Sequence, residues 1–313
     1  VSIVAAYVSA GIYLTFPAFS WQQIACFPIA AFWLYRLGSL IHEVCHLGAH
    51  ELPVFKAAWN LCAGVMLLTP SPFFTRHHRD HHSQRYYGTP EDPEYVANVM
   101  EGGNPASIVG YTLHILVFPV LVFLRFLLAP LSFVHPAVRE WTLRRASSLT
   151  LNRRYDRKLT AADRRAILAV EIPCFIRASL IPLLVLLGLN HWTRVPLLYA
   201  LAVATVMLNQ MRQLADHHFE GDGHRVDLAS HILDSCNFTR NDPLTLLFFP
   251  FSIRYHALHH LFPSMPYHNL KPAHEYLVAT LPADSPYRQL DRPGWWSVAR
   301  RTILGPAQTA AAV

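Results

Sequence analysis

Six stretches of this chain are apolar with few charges: residues 3–19, 21–41, 53–69, 108–134, 166–189 and 195–211. A helix needs about 20 predominantly apolar residues, with a range of about 17–25, to cross a bilayer core. Residues 3–41 read as two spans joined by a tight turn near Ser20–Trp21. Residues 166–211 read as a second pair joined near Asn190–Arg194. The stretch 53–69 is interrupted by Lys56 and Asn60, and 108–134 by His114, Pro119, Arg125 and Pro130. Composition agrees with a membrane protein. Of 313 residues, 52% are hydrophobic and only 15% charged, where a soluble domain carries about 25%.

Charge placement sets the orientation. Residues 139–165, "REWTLRRASSLTLNRRYDRKLTAADRR", hold nine Arg or Lys. The positive-inside rule puts that segment in the cytoplasm. Arg76, Arg79 and Arg85 put 76–85 on the same side, and the two tight turns carry only Arg194. The expected fold is therefore an all-α membrane protein with four transmembrane helices in two hairpins and both ends cytoplasmic. On this reading 53–69 and 108–134 return to the side they left, as interfacial or re-entrant helices; a fifth span at 108–134 is the alternative.

No internal repeat divides the chain, so 1–313 reads as a single domain. Its parts are a first hairpin (1–41), a segment with two histidine clusters and the basic stretch (42–165), a second hairpin (166–211), the last histidine clusters (212–290) and a tail (291–313). The terminal "GPAQTAAAV" reads as disordered. The opening residues lack the basic n-region of a cleavable signal. Five scattered cysteines, Cys26, Cys45, Cys62, Cys174 and Cys236, argue for reduced thiols rather than disulfides.

The chain has 19 histidines against 20 carboxylates, and most of them are clustered. "HEVCH" places His42 and His46 four apart, on one face of a helix. "HHRDHH" places His78, His81 and His82 at i, i+3 and i+4, and "RYHALHH" repeats that spacing with His256, His259 and His260. "NQMRQLADHHFEGDG" adds His217 at the end of the fourth span. All four clusters fall on the cytoplasmic side and form a helical cap holding a metal site. "HEVCH" alone matches a zinc protease, with Glu43 as base. A catalytic zinc, however, takes three protein ligands, and nine imidazoles suit two metals with open positions. Neutral nitrogen ligands fit iron and oxygen chemistry without excluding zinc or copper.

Glu43, Asp80, Asp92, Asp216 and Asp234 are candidates to accept the other ring N–H of ligating histidines. His50, His77, His218, His224, His231, His268 and His274 read as supporting, interfacial or surface residues, and His114, His135 and His191 as structural. An intramembrane protease would need a third ligand, such as an Asp, within a span. A metal transporter would need polar residues lining a path. The spans offer little of either beyond Glu171 and Arg177.

The pattern resembles the membrane-bound fatty-acid desaturase family, bacterial type, whose members are histidine-box non-haem di-iron oxidases. His42 and His46 match its first box, HxxxH. His78, His81 and His82 match the second, HxxHH, and His256, His259 and His260 the third. His217, in "RQLADH", looks like the additional ligand before the third box. "GTPEDPEY", "RRASSLTLNRRY" and "RYHALHHLFPSMPYHNL" match around them. The resemblance covers about residues 30 to 280. Gln213 and Asp216 depart from it, standing where small or hydroxyl residues are usual.

The resemblance implies two iron ions (Fe2+/Fe3+) bound by the nine histidines, O2 as co-substrate, and removal of hydrogen from an unactivated C–H bond. No side chain can abstract such a hydrogen unaided. Acyl-chain desaturation is the first expectation. Hydroxylation, or oxidative decarboxylation of a free fatty acid to a terminal alkene, uses the same boxes. The substrate would be a fatty acid or acyl lipid in contact with membrane lipids, its anionic head near Arg76, Arg79, Arg85 or the 139–165 segment. The chain has no CxxC pair or fused haem motif, so two electrons must come from a separate donor such as a ferredoxin, docking on basic residues. A bacterial inner-membrane location with a cytoplasmic active site follows; nothing points to nucleic acid.

Overall fold

The computed structural model describes residues 1–48 and 50–305. The protein is built almost wholly from helices: α1 (Ser2–Thr15), α2 (Trp21–Ser39), α3 (Ile41–His46), α4 (Pro53–Trp59), α5 (Ser71–His81), α6 (Pro105–Leu127), α7 (Pro136–Arg145), α8 (Ala161–Leu186), α9 (Arg194–Gln213), α10 (Leu228–Leu233), α11 (Pro243–Phe248), α12 (His256–Leu261), α13 (Tyr267–Thr280) and α14 (Trp295–Leu304). Two two-residue strands, β1 (Asn237–Phe238) and β2 (Asp291–Arg292), pair in parallel.

Among the described residues, four runs are long and apolar enough to cross a membrane: Trp21–His46, Pro105–Leu127, Ala161–Leu186 and Arg194–Gln213. By length and composition the number is the expected one, with α6 qualifying and the shorter α1 not. The described part of α1 is a shorter apolar helix, while α6 is unbroken for 23 residues despite Pro119. A proline removes one helical N–H, and apolar surroundings give the backbone no better partner than the rest of its own ladder. The stretch 53–69 folds as α4 followed by a six-residue π-helical turn, Asn60–Val65. At about 1.5 Å per residue the two make roughly 20 Å, against about 30 Å of hydrocarbon.

The chain forms two compact units. One comprises residues 1–77, 114–149 and 156–208; the other comprises 78–113, 150–155 and 209 onward. In the first, α1 packs along α2 through small residues, Ala6, Ala30 and Ala31, which let the backbones approach. Val65, Phe73, Phe126, Ile167 and Cys174 form a second apolar cluster. Ile172, Ile176, Leu180 and Leu183 on α8 are exposed, as lipid-facing residues are. Glu171, also on α8, is buried and accepts hydrogen bonds from Arg125 at 2.5 Å and from Arg139 at 2.7 and 2.9 Å.

The basic segment is thus partly neutralised by the protein's own carboxylates. Arg139 pairs with Glu171, Arg144 with Asp156 and Arg164 with Glu140. Arg157 is fully buried and donates to the carbonyls of Pro72 and Leu143.

In the second unit, α12 lies in a core of Ile232, Tyr255, Leu258, Leu270, Tyr287 and Leu290. Residues 295–304, grouped with the tail on sequence grounds, form α14. It is amphipathic, buries Trp295, Val298 and Ala299, and donates the Trp295 indole N–H to the Met211 carbonyl at 2.6 Å. The rest of the expected disordered tail, 306–313, lies outside the described residues. All five cysteines are free thiols.

Candidate metal centre

Asn60, in the π-helical turn, starts the helix that carries the second histidine box. Its side-chain carbonyl accepts the Ser71 N–H at 2.8 Å, and its amide donates to Ser71 Oγ at 2.9 Å. One of the donors left open at the first turn of α5 is thereby satisfied from a distance. Nothing in this helix is β-branched except Thr75, and its histidines recur as the spacing predicts. His78 lies 6.1 Å from His81 and 4.6 Å from His82, ring centre to ring centre. His77 turns away and shares its Nδ1 with the Phe73 carbonyl.

The third box sits on α12, one and a half turns long, and presents His256 and His260 with ring centres 4.5 Å apart. Phe251 and Ser252, just before it, take left-handed backbone angles (φ 57° and 60°). For non-glycine residues that conformation is strained, and strain of this kind clusters at functional sites. His217 follows α9 and is held by an antiparallel bridge to Ser235, with the His218 N–H donating to the Asp234 carbonyl at 2.7 Å.

These elements bring His81, His217, His256 and His260 together. All four are buried, and each offers a ring nitrogen within 4.8 Å of the others. The Nε2 atoms stand 3.2 Å apart for His81 and His217, 3.1 Å for His256 and His217, and 2.9 Å for His260 and His256. Imidazole nitrogens about 2.1 Å from a shared metal, at right angles to one another, would lie about 3.0 Å apart. The donor set therefore fits a transition metal with imidazole ligands.

Protonation agrees with the distances. His81 gives its Nδ1–H to Asp92 at 2.8 Å. Burial opposes a proton on His81, but the Asp92 carboxylate outweighs it and holds the ring's pKa above the ordinary histidine value. Burial, then neighbouring imidazoles, push His217 and His260 well below it. His231, 2.7 Å from His260, is lowered to about 3, first by burial. Burial and crowding thus disfavour a charge on His217 and His260, and a bound cation would take the lone pairs they turn inward.

In the same unit His82 Nε2 lies 3.1 Å from His78 Nε2 and 3.2 Å from His259 Nε2, forming a second group of three. The Nδ1 of His78 is 2.6 Å from Glu94. Burial raises the Glu94 carboxyl to about 7. In the other unit His42 and His46 stack edge-on along α3, ring centres 5.2 Å apart.

The carboxylates expected to support ligands take different positions. Asp92 supports His81 directly. Asp234 reaches His217 through Tyr87, whose hydroxyl donates to Asp234 at 2.7 Å and lies 2.8 Å from His217 Nδ1. Asp80 accepts the Tyr155 hydroxyl, and Asp216 pairs with Arg212 at 2.5 Å. Burial raises Asp216 to about 6 even so. Glu43 is half-buried on α3. Arg79 and Arg85 are exposed, Arg76 is half-buried, and Arg85 lies over the Tyr86 ring.

Sequence reasoning missed Glu94, Tyr87 and Ser235, and gave His231 only a general supporting role. Glu94 had a signal, since it lies two residues beyond Asp92 in "GTPEDPEY". Tyr87 and Ser235 had none.

The sequence model of the fatty acid desaturase family matches residues 19–291 of this chain. The ceramide hydroxylase of Caulobacter vibrioides is 36% identical to it over 264 residues, which is 83% of this chain and 74% of that relative.

Proposed function

The chain belongs to the fatty acid desaturase family, and from that premise we propose that this integral membrane oxidoreductase hydroxylates the acyl chain of a ceramide-type lipid. The observation that carries the reading is the convergence of His81, His217, His256 and His260, all buried, with a ring nitrogen of each within 4.8 Å of the others. These four would hold one iron. His78, His82 and His259 would hold a second, and His42 and His46 of the first box remain candidate ligands. When bound, the two irons supply the O2 activation and electron transfer that side chains lack.

The protein's own residues do the rest. Asp92 and Glu94 fix the rings of His81 and His78 and strengthen their donation. Burial of the imidazoles excludes bulk water from the reacting centre. Hydroxylation converts R–H, O2, two electrons and two protons into R–OH and water. The electrons require a donor protein, and the exposed cations of the basic stretch, Arg153, Arg154 and Lys158, suit an acidic one such as a ferredoxin. The same cations support a cytoplasmic placement of this face. Arg76, Arg79 and Arg85 remain candidates for the lipid's polar head.

Hydroxylation is placed first because the relative that covers most of this chain is named for it. Desaturation is the second reading, favoured by the family model. It consumes the same oxidant and withdraws a second hydrogen in place of returning oxygen.

The test is expression in a bacterium that makes ceramides but lacks hydroxylated ones, with a ferredoxin and its reductase supplied, followed by lipid mass spectrometry. A ceramide carrying one added oxygen is the expected product. A species short of two hydrogens would move the assignment to desaturation. An unchanged lipid profile from an iron-loaded protein reduced by its donor would sink both.

A further inference from the structure

We propose that Tyr87, anchored by Asp234, is a positioning residue that locks His217 in the tautomer with its proton on Nδ1. Two hydroxyls face His217 Nδ1, Tyr87 at 2.8 Å and Ser235 at 3.1 Å. The Tyr87 proton is committed to Asp234 Oδ2 at 2.7 Å, and the Ser235 proton to the His231 carbonyl at 3.2 Å. Both oxygens can therefore only accept, and His217 must donate from Nδ1. Its Nε2 is left bare, 3.2 Å from His81 Nε2 and 3.1 Å from His256 Nε2.

Asp234 can impose this direction because it is itself saturated. It also accepts the Tyr95 hydroxyl at 3.2 Å and the Glu220 N–H at 3.1 Å, so it stays an acceptor toward Tyr87. The Tyr87 ring is held as well, stacked on His231 with centres 3.5 Å apart. His81 obtains the same result from a carboxylate in direct contact; His217 obtains it through a phenol. The interposed Tyr87 keeps a formal charge off the His217 ring while still fixing its tautomer.

The inference rests on reading His81, His217, His256 and His260 as metal ligands, and the experiment separates the two. Full-length metal-free protein in detergent is titrated anaerobically with Fe(II), and in parallel with Co(II), whose visible bands report on its ligands. Two ions per chain in the wild type are required by the metal reading; fewer would sink that reading and this inference with it. Given two, Tyr87→Phe should weaken one ion about tenfold to a hundredfold and shift its Co(II) bands. The other ion should be unaffected. The melting temperature of the metal-free protein should hold, because phenylalanine keeps the ring on His231. Adding Ser235→Ala should weaken the same ion further. Wild-type affinity for both ions in Tyr87→Phe would overturn the proposal. So would equal loss of both ions together with a lower metal-free melting temperature, which would mark Tyr87 as a packing residue only.

Discussion

Each of the two units buries a group of ionisable side chains, and the two groups are finished differently. In the first unit Glu171 is closed off by Arg125 and Arg139, both of its oxygens taken. The excess positive charge is spread, with Arg125 bonded to Ser147 and set over the rings of Phe73 and Phe126, and Arg139 over Phe133. In the second unit the outer nitrogens of His78, His81, His217 and His260 have partners, while the inner ones face neighbouring imidazoles. A closed cluster holds helices together and needs nothing more. An open one is a demand for a ligand.

The comparison breaks most visibly at the open cluster. His256→Ala should abolish oxidation, by at least about a hundredfold, since even outer partners of metal ligands are worth 10–100-fold. It should not lower the melting temperature of the metal-free protein, because a crowded lone pair has been removed. A large loss of metal-free stability would mean that the imidazoles hold the fold themselves. In the closed cluster the sign reverses. Glu171→Gln strands two buried guanidinium groups and should cost about 3–5 kcal/mol, read from unfolding in detergent, with metal content unchanged. Replacing Arg125, Glu171 and Arg139 together by apolar residues should recover most of that. The finest test is the matching change in the other unit. Asp92→Asn sets an amide N–H against the Gly88 or Glu94 N–H and should cost about 1–3 kcal/mol of metal-free stability, less than Glu171→Gln, while weakening metal binding about tenfold or more. If it destabilises the metal-free chain as Glu171→Gln does, the distinction between the two clusters fails.

How much of this could be read from the chain depends on the distance over which each signal acts. The box histidines were legible because a helix turns i, i+3 and i+4 to one side, a local rule that α5 and α12 obey. Asp92 was legible for a similar reason, lying a short loop from His81. Tyr87 and Ser235 meet at His217 from 130 and 18 residues away, and no periodicity links such positions. The apolar runs announced a helical membrane protein, but not that α6 would continue unbroken through Pro119 or that 53–65 would break into a π turn. Those outcomes depend on packing, for example Asn60 reaching Ser71. The nine cations of 139–165 looked like a uniform basic surface. At least five of them are engaged within the protein, Arg139, Arg144, Arg145 and Arg164 by carboxylates and Arg157 by carbonyls, with Glu171 supplied from another helix.

The span of chain between the members of the open cluster bears on how the protein is made. His81 and His217 are 136 residues apart, and His256 lies 39 beyond His217. Chains emerge from the ribosome in order, and their N-terminal parts fold first. His78, His81 and His82 are therefore exposed as a loose imidazole triplet for most of synthesis, with no complete pocket to choose among metals. Selectivity for a metal can arise only after α12 has docked. The cell must either load this protein late or keep tighter-binding ions away from the nascent chain.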